Sequence, residues 1–383
     1  MTTLLDAKIN FFRDCLDRNV PYWGTVIQTM ASPVERLSFL ADLVRRLNRG
    51  ERDLRILEIG AFAGASAITL AKSIEKYHAG AGKVYCVDPW RRKVGNTCMD
   101  LGILRDKNGR DLASYTYEDM FRYNIRAAGV ENMVVAMKGF SRDVLPILAE
   151  EQFDLIYVDG DHSHAGARFD IEKSMPLVRQ GGYLCGDDLE MQIPDIPASC
   201  IKPTSECVFN GITFHSGVTL AIHEVFGRKI SVADGLWAQQ KTKDNSVPLK
   251  ISWMDVADIG NADPDWVTPM FTTFFNQAVA RLCQKALECK WKTAVLYGAG
   301  RHTRRLVQFL NNTNCIAMNF SGVVDDAISQ GNIGALPILT RDQALQSKPD
   351  VIVLSSDTQE DALANSAAEW RRNIPVFRLY GVE

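Results

Sequence analysis

The chain has 383 residues, a net charge of −3, and 46% hydrophobic against 23% charged residues. This composition is ordinary for a globular protein, and the length allows two or three domains with a core of their own. No basic block stands out and no stretch approaches the roughly 18 apolar residues of a membrane span, so we expect neither a nucleic-acid partner nor a membrane.

The cysteines and the N-terminus indicate the compartment. The nine cysteines are scattered without a C-x-x-C pair, a pattern that argues against a zinc site and against a disulfide framework. The chain starts Met-Thr-Thr-Leu-Leu-Asp, with an acid where a secretory signal has basic residues. We therefore expect a cytoplasmic protein.

Residues 1–50 are predicted to form a helical cap. Leu37, Leu40, Leu43 and Leu47 recur at helical spacing, and the residues at 48–50 end the last helix with a glycine. Such a cap could exchange between the subunits of a homo-oligomer.

Residues 51–241 are predicted to form an α/β domain with a Rossmann-like parallel sheet. Strands are expected at 54–59, 83–88, 133–137, 153–159 and 183–186, and helices near 65–77, 116–128, 141–149, 165–179 and 217–226. This alternation is typical of a parallel sheet covered on both faces. Asp234-Gly235 lies between two short apolar runs and predicts a hairpin, so the sheet should end in an antiparallel pair.

A second, smaller Rossmann-like α/β domain is predicted over residues 291–383. A polar linker and a connecting helix, residues 242–290, precede it. Its strands are expected at 294–297, 316–324, 351–355 and 376–379, and its helices near 302–311, 341–347 and 358–371.

The turn after the first strand carries a ligand-binding pattern. Residues 58–66 follow E-x-G-x-F-x-G-x-S, where a strand delivers two glycines into the start of a helix. Such a turn brings backbone N–H groups close to a bound molecule. A pyrophosphate would be repelled by the acid, whereas a cationic ligand would be favoured, and this points to S-adenosylmethionine (SAM). The candidate cofactor residues here are Glu58, Gly60, Ala61, Phe62 and Ser66.

Two later strand ends add cofactor candidates. Asp88 ends the second strand, where an acid can accept both hydroxyls of a ribose; it could also be a plain turn residue. Phe140 and Ser141 follow the third strand and could contact an adenine edge, although Ser141 could equally be a helix N-cap.

Acids gather after the fourth and fifth strands. The fourth is followed by Asp159, Asp161 and His162, and the fifth by Asp187 and Asp188. Neighbouring parallel strands lie about 5 Å apart, so these carboxylates should meet, and like charges need a neutralising group. Mg²⁺, which prefers oxygen ligands, is the simplest one.

Roles follow from the positions of these residues. We expect Asp159, Asp187 and Asp188 to hold Mg²⁺, with Asp159 also beside the cofactor, and Asp161 to act as general base with His162 as its competitor. The alternative is that the acids only cap helices. His164, His215 and His223 show no partner from spacing and are interpreted as surface or core histidines.

A second glycine turn opens the C-terminal domain. Gly298 and Gly300 match G-x-G, but Thr303 stands where a third glycine would be, and Asp325 and Asp326 end the next strand. Nucleotide binding and a purely structural role both fit this pattern. The segment loosely resembles the small Rossmann-like domains attached to enzymes of sugar and polysaccharide assembly.

The combined motifs resemble a known family. E-x-G-x-F-x-G-x-S, V-D-P, Y-V-D-G-D-H-S-H, G-G-Y-L-C-G-D-D and G-V-T-L-A-I-H-E-V-F, over roughly residues 50–240, look like the class I SAM-dependent methyltransferases. They are most similar to the macrocin O-methyltransferase and cephalosporin hydroxylase-like group. The resemblance implies Mg²⁺ at Asp159, Asp187 and Asp188, Asp161 as base, and sugar hydroxyls as acceptors. Leu189, and His162 with His164, stand where relatives carry aromatic residues.

We therefore predict a SAM-dependent, divalent-metal-assisted O-methyltransferase for a sugar or another small polyhydroxyl molecule. A metal-independent N- or C-methyltransferase, an NAD-dependent oxidoreductase that uses the second glycine turn, and a non-catalytic binding module are the alternatives.

Overall fold

The computed structural model describes residues 34–91, 116–193, 196–203, 207–209, 212–233, 235–243, 245–249, 268–300, 318–356 and 360–379, together with positions 19, 21, 302–304, 306, 307 and 310. The described residues divide into two compact units, one within Leu16–Trp23 and Ser32–Met270 and the other within Phe271–Glu383. Most of the predicted cap and most of the 242–268 linker lie outside the described residues. The predicted domain boundaries at 50, 241 and 290 stay predictions.

The first unit contains ten strands and six α-helices among its described residues. The strands are β1 (Leu54–Ile59), β2 (Gly82–Asp88), β3 (Val134–Lys138), β4 (Phe153–Val158), β5 (Val178–Gly186), β6 (Cys207–Phe209), β7 (Ile212–Phe214), β8 (Ser231–Ala233), β9 (Leu236–Lys241) and β10 (Ser246–Pro248). The helices are α1 (Val34–Arg46), α2 (Ala65–His78), α3 (Tyr117–Ala127), α4 (Ser141–Val144), α5 (His164–Leu177) and α6 (Ser216–Phe226).

The main sheet has the order β10-β9-β5-β4-β1-β2-β3, and β8 also pairs with β9. Strands β1 to β5 run parallel, while β9 is antiparallel to β5 and to β8. The predicted parallel sheet and its antiparallel ending are thus confirmed. The carboxyl ends of β1, β4 and β5 share one edge of the sheet, because these strands are neighbours and parallel.

Burial explains why the central strands are so apolar. All six residues of β4 are buried, as a strand covered on both faces should be. The four leucines of the predicted apolar stripe are buried, three of them in α1 and Leu47 directly after it, and this helix packs against α2. That contact fixes α1 beside the first turn of the sheet.

The boundary between α5 and β5 differs from the prediction. Its first residue is Val178, five residues before the predicted start, and α5 ends at Leu177 rather than at 179. Pro176 sits in the last helical turn and Val178 already has extended backbone angles. A β-branched residue after a proline favours leaving the helix there.

The second unit is a smaller parallel sheet. After α7 (Thr268–Cys289) come β11 (Thr293–Tyr297), β12 (Asn319–Val324), β13 (Asn332–Ile333), β14 (Leu336–Leu339), α8 (Arg341–Gln346), β15 (Val351–Leu354), α9 (Glu360–Trp370) and β16 (Val376–Arg378). The order is β13-β14-β12-β11-β15-β16, with the β13–β14 pair antiparallel. The predicted second α/β unit is confirmed. No helix in the described part of the chain is long and apolar enough to cross a membrane.

Candidate functional site

The first glycine turn is locked against the end of β4. Gly60 has a φ of 91°, and a Cβ on it would lie 1.8 Å from the carbonyl oxygen of Asp159. Phe62, two residues later, also has a positive φ, of 44°, which is uncommon for a residue with a side chain. Only glycine fits at position 60, and the turn therefore starts directly beside the acids that follow β4.

Glu58 lies inside the molecule below this turn. Its side chain is fully buried and accepts hydrogen bonds from the hydroxyl of Ser66 and, at 3.3 Å, from the thiol of Cys86. Burial raises the pKa of Glu58 to about 7, although the bond from Ser66 works against the shift. Both sequence-predicted residues thus belong to one internal hydrogen-bonded group.

Asp88 ties the turn to the end of β2. Its carboxylate accepts from the backbone N–H of Phe62 at 2.9 Å and from that of Trp90 at 2.6 Å. The indole of Trp90 in turn donates to the carbonyl of Phe62 at 2.8 Å. Burial raises the pKa of Asp88, against the effect of these two backbone bonds. Trp90, which the sequence analysis did not single out, is a structural partner of the predicted acid, and Ala61 beside it is buried.

The predicted adenine-edge turn begins α4. Ser141 is the first residue of that helix and Phe140 occupies the N-cap position without a side-chain cap bond, so the suggested N-cap role of Ser141 is wrong. The ring of Phe140 lies 4.4 Å from the guanidinium carbon of Arg91 and 4.6 Å from that of Arg142.

The acids after β4 and β5 do converge. The hydroxyl of Tyr157 is 3.4 Å from Asp159 Oδ2 and 3.3 Å from Asp187 Oδ2, so it bridges the two carboxylates. Asp188 follows directly and has a positive φ of 65°. Asp161 instead turns towards the start of α5, where it accepts from the backbone N–H of Ser163 at 2.9 Å. Asp161 is exposed, whereas Asp187 and Asp188 are buried.

A buried arginine supplies one of the neutralising charges. Arg36 on α1 places Nη1 2.5 Å from Asp187 Oδ2 and 3.4 Å from Asp188 Oδ1. Burial alone would lower the pKa of Arg36, but the two carboxylates raise it above its usual value. Burial also raises the pKa of Asp187, to about 7, and Arg36 opposes that shift. The sequence analysis missed Arg36, although it lies at helical spacing from the buried leucines of α1, where a charge is unusual.

Two histidines also lie beside these carboxylates and can carry the remaining positive charge. His162 Nε2 lies 3.0 Å from Asp188 Oδ2 and 3.5 Å from Asp159 Oδ1. His215 Nδ1 lies 3.4 Å from Asp188 Oδ1 and 3.1 Å from Glu190 Oε1. Burial would lower the pKa of His162, yet the bond to Asp159 and the charge of Asp188 raise it to about 9. His215 therefore has partners that the sequence spacing did not reveal. His164 instead pairs with Glu224, at 2.9 Å.

The acids and His162 line a small cleft together with apolar side chains. Asp159, Asp161, His162, Asp187 and Asp188 lie on its polar side, and Val158, Val218 and Trp237 contribute apolar side chains. Carboxylates and an imidazole thus lie beside apolar side chains in this small cleft.

The polar groups of the second glycine turn form hydrogen bonds within their own unit. The carboxylate of Asp325 accepts from the backbone N–H of Ala299 at 2.7 Å and from those of Ala327 and Ile328. The buried hydroxyl of Thr303 donates to the carbonyl of Gly298. The described part of this turn therefore has local partners for the groups that a nucleotide would use.

Comparison with known proteins supports the prediction that the first unit contains a methyltransferase domain. Residues 57–189 match the family model Methyltransf_24, which describes a methyltransferase domain. This match confirms the prediction of a methyltransferase, and it covers both the glycine turn and the convergent acids. No curated protein matches the sequence.

Solved structures of similar proteins are distant. An O-methyltransferase from Bacillus cereus in complex with SAH is 20% identical, covers 62% of this chain and 91% of that chain, and has a TM-score of 0.38. The O-methyltransferase TomG from Streptomyces achromogenes, involved in tomaymycin synthesis and solved with SAM, is 20% identical, covers 55% and 82%, and has a TM-score of 0.36. Similarities this weak carry no functional weight.

Proposed function

We propose that this protein is a SAM-dependent O-methyltransferase that acts on a hydroxyl of a sugar or another small polyhydroxyl molecule. The observation that carries the proposal is the contact between Gly60 and Asp159. Gly60, in the turn expected to bind the methyl donor, lies directly against the backbone of Asp159 in the acidic cleft. The Asp159 N–H also donates to the carbonyl of Ile59, next to Gly60, at 2.8 Å. A methyl donor bound on the turn would present its methyl group next to the acids.

The cofactor assignment combines the turn with the acids around it. Gly60, Ala61, Phe62 and the start of α2 would meet the amino-acid part of SAM, and Asp88 at the end of β2 would meet its ribose. Ser141 would contact the adenine. Glu58, held by Ser66, would support the turn from below.

Methyl transfer then needs alignment and removal of one proton. The sulfonium methyl is already activated, so holding the acceptor oxygen in line with it supplies several kcal/mol of the barrier reduction. We assign the general base to Asp161, because it is exposed at the mouth of the cleft while His162 is paired with Asp188 and Asp159. The alternative base, His162, is tested together with it below.

A divalent cation is part of the proposal. The carboxylate of Asp188 would hold it, with Asp159 beside it, and a bound cation would lower the pKa of the acceptor hydroxyls and fix their position. The third ligand expected from the sequence, Asp187, already has one oxygen in contact with Arg36. An all-oxygen Mg²⁺ set of three aspartates therefore does not fit these side chains as they stand.

Replacement of the base tests the proposal. For Asp161→Asn we expect kcat to fall by about 10²–10⁴-fold, the usual contribution of a positioned base, with unchanged SAM affinity. The readouts are SAH release with a panel of free and glycosylated vicinal diols, and calorimetry with SAM. His162→Asn is measured alongside, and Glu172→Gln, an exposed acid of α5, is the matched control.

Two results would contradict the proposal. Tighter binding of NAD than of SAM would favour the oxidoreductase alternative. Equal turnover by Asp161→Asn and the wild-type chain would remove Asp161 from the base role.

A further inference from the structure

Three potential metal ligands meet at the acidic cleft from three separate segments. His162 follows β4, Asp188 follows β5 and His215 precedes α6. One ring nitrogen of each histidine and one carboxylate oxygen of Asp188 lie within 4.8 Å of one another. Two imidazoles and a carboxylate form a different donor set from the three aspartates expected from the sequence.

The spacing suits ligands of a single ion. His162 Nε2 lies 3.0 Å from Asp188 Oδ2, and His215 Nδ1 lies 3.4 Å from Asp188 Oδ1. Ligand atoms bound about 2.0–2.2 Å from one metal ion are separated by about 3.0–3.5 Å, depending on the coordination angle. Only small side-chain adjustments are therefore needed to place an ion between these groups.

His215 is held in place by its surroundings. The carboxylate of Glu190 accepts from His215 Nδ1 at 3.1 Å and from its backbone N–H at 3.2 Å. Nδ1 is also the nitrogen that faces Asp188, so an ion bound there would take the place of its proton. The bond from the His215 backbone N–H to Glu190 would still hold the segment in position, as partners outside the ligand set commonly do for metal-binding histidines.

A close backbone contact brings the two histidine segments together. A Cβ on Gly217 would lie 2.2 Å from the carbonyl oxygen of His162 and 2.6 Å from the backbone nitrogen of His164. Only glycine allows this approach, and it leaves the rings of His162 and His215 4.6 Å apart.

Arg36 completes the argument. Its guanidinium takes one oxygen of Asp187 at 2.5 Å, so the carboxylate that an Mg²⁺ site would need is already neutralised. Imidazole nitrogen suits zinc, copper, iron and nickel far better than magnesium, which favours oxygen. We propose that His162, Asp188 and His215 bind a nitrogen-accepting divalent transition-metal ion, with Glu190 as the positioning residue of His215.

This inference deepens the proposed function, because it names the cation of the same cleft and leaves Asp161 as the base. Binding of the ion itself does not depend on methyl transfer. The test therefore measures metal binding directly, with SAM binding recorded in parallel on the same preparation.

The experiment is a titration of the full-length, EDTA-treated chain with Co²⁺, followed by the visible d–d absorption of the bound ion. We expect one Co²⁺ per chain, displacement by Zn²⁺, and no displacement by a large excess of Mg²⁺. His162→Ala and His215→Ala should each weaken Co²⁺ binding by about 100-fold or more, and Glu190→Gln by about 10–100-fold. The matched control is His164→Ala, which should bind as the wild type does.

Circular dichroism and the melting temperature show whether each variant is folded. If a histidine variant fails to fold, His215→Gln keeps the polar side chain and gives the same readout. The proposal is overturned if Mg²⁺ displaces Co²⁺ at equal concentration, if no d–d band develops, or if folded His215 variants bind Co²⁺ as tightly as the wild type. Loss of SAM binding with intact Co²⁺ binding would defeat the proposed function instead.

Discussion

The two glycine turns of this chain are built alike and surrounded differently. Gly60 donates its N–H to Val87 at 2.9 Å, and Gly298 donates to Val324 at 2.8 Å. An acid at the end of the second strand of each unit then accepts from the turn, Asp88 in the first and Asp325 in the second.

What differs is the chemistry of the neighbouring strands. Below the first turn lies the buried Glu58, while the matching position of the second is Leu296, also buried. The strand beside the first turn is followed by Asp159, whereas the strand beside the second is followed by Ser355, whose N–H donates to the carbonyl of Tyr297 at 2.9 Å. A glycine turn with a strand-end acid is therefore a feature of the fold, and function depends on the residues that adjacent strands bring to it.

The largest expected effect comes from the different space around the glycines of the two turns. Gly60→Ala would place a Cβ 1.8 Å from a backbone oxygen, whereas at Gly298, its counterpart, the nearest backbone oxygen would be 3.1 Å away, and at Gly300 no atom lies within 4 Å. We expect Gly60→Ala to lose SAM binding and to destabilise the chain by about 2–5 kcal/mol, and Gly300→Ala to change stability by less than about 0.5 kcal/mol. Calorimetry with SAM and melting curves measure both.

Gly64→Ala serves as a milder second variant should Gly60→Ala not fold. Its Cβ would lie 3.0 Å from the ring of Phe121, and its φ is 91°. If a folded Gly60→Ala chain bound SAM with wild-type affinity, the turn would not be part of the SAM site.

The second effect isolates the buried acid that only the first turn has. The pKa of Glu58 is raised by burial from 4.5 to about 7. Between those pH values the unfolded chain releases a proton that the folded chain keeps, so stability falls with rising pH, by about 3 kcal/mol for this group. Glu58→Gln should remove that part of the pH dependence.

Melting temperatures at pH 5 and pH 7.5 measure the difference. Glu75→Gln, on the exposed side of α2, is the control and should keep the wild-type slope. An unchanged slope in Glu58→Gln would show that Glu58 does not titrate in this range.

The smallest expected effect compares the strand-end acids. Asp88→Asn should weaken SAM binding by about 10–100-fold, equivalent to about 1.4–2.7 kcal/mol, because an amide replaces an ionised acceptor. Asp325→Asn should leave SAM affinity unchanged. The opposite ranking, or a loss of NAD binding confined to Asp325→Asn, would transfer the nucleotide site to the second unit.

The sequence predicted the fold better than the details of the site. Long buried strands such as β1 and β4 can be recognised from apolar runs in the sequence, and the predicted bounds of β1 agree with the structure. Strands of two or three residues, including β6, β7, β10 and β13, have no periodicity to read. They form because a partner strand is already in place.

The acids were predictable because parallel topology sends consecutive strand ends to one edge. Their counter-ions were not. Arg36 lies 152 positions before Asp188, and His215 lies 25 positions after Glu190, so no local pattern links them. The expectation that a cation must balance the carboxylates was sound physics, but the chain supplies part of that charge with its own side chains.

The position of Arg36 also limits where the chain can be truncated for expression. The segment that matches the methyltransferase family, residues 57–189, ends before Glu190 and His215 and begins after Arg36. A fragment trimmed to those limits would retain Asp159, Asp187 and Asp188 yet lose two of the three cationic side chains paired with them. An expression fragment that keeps the cleft intact must run from α1 through β9, which carries Trp237, and is therefore considerably longer than the segment that matches the family.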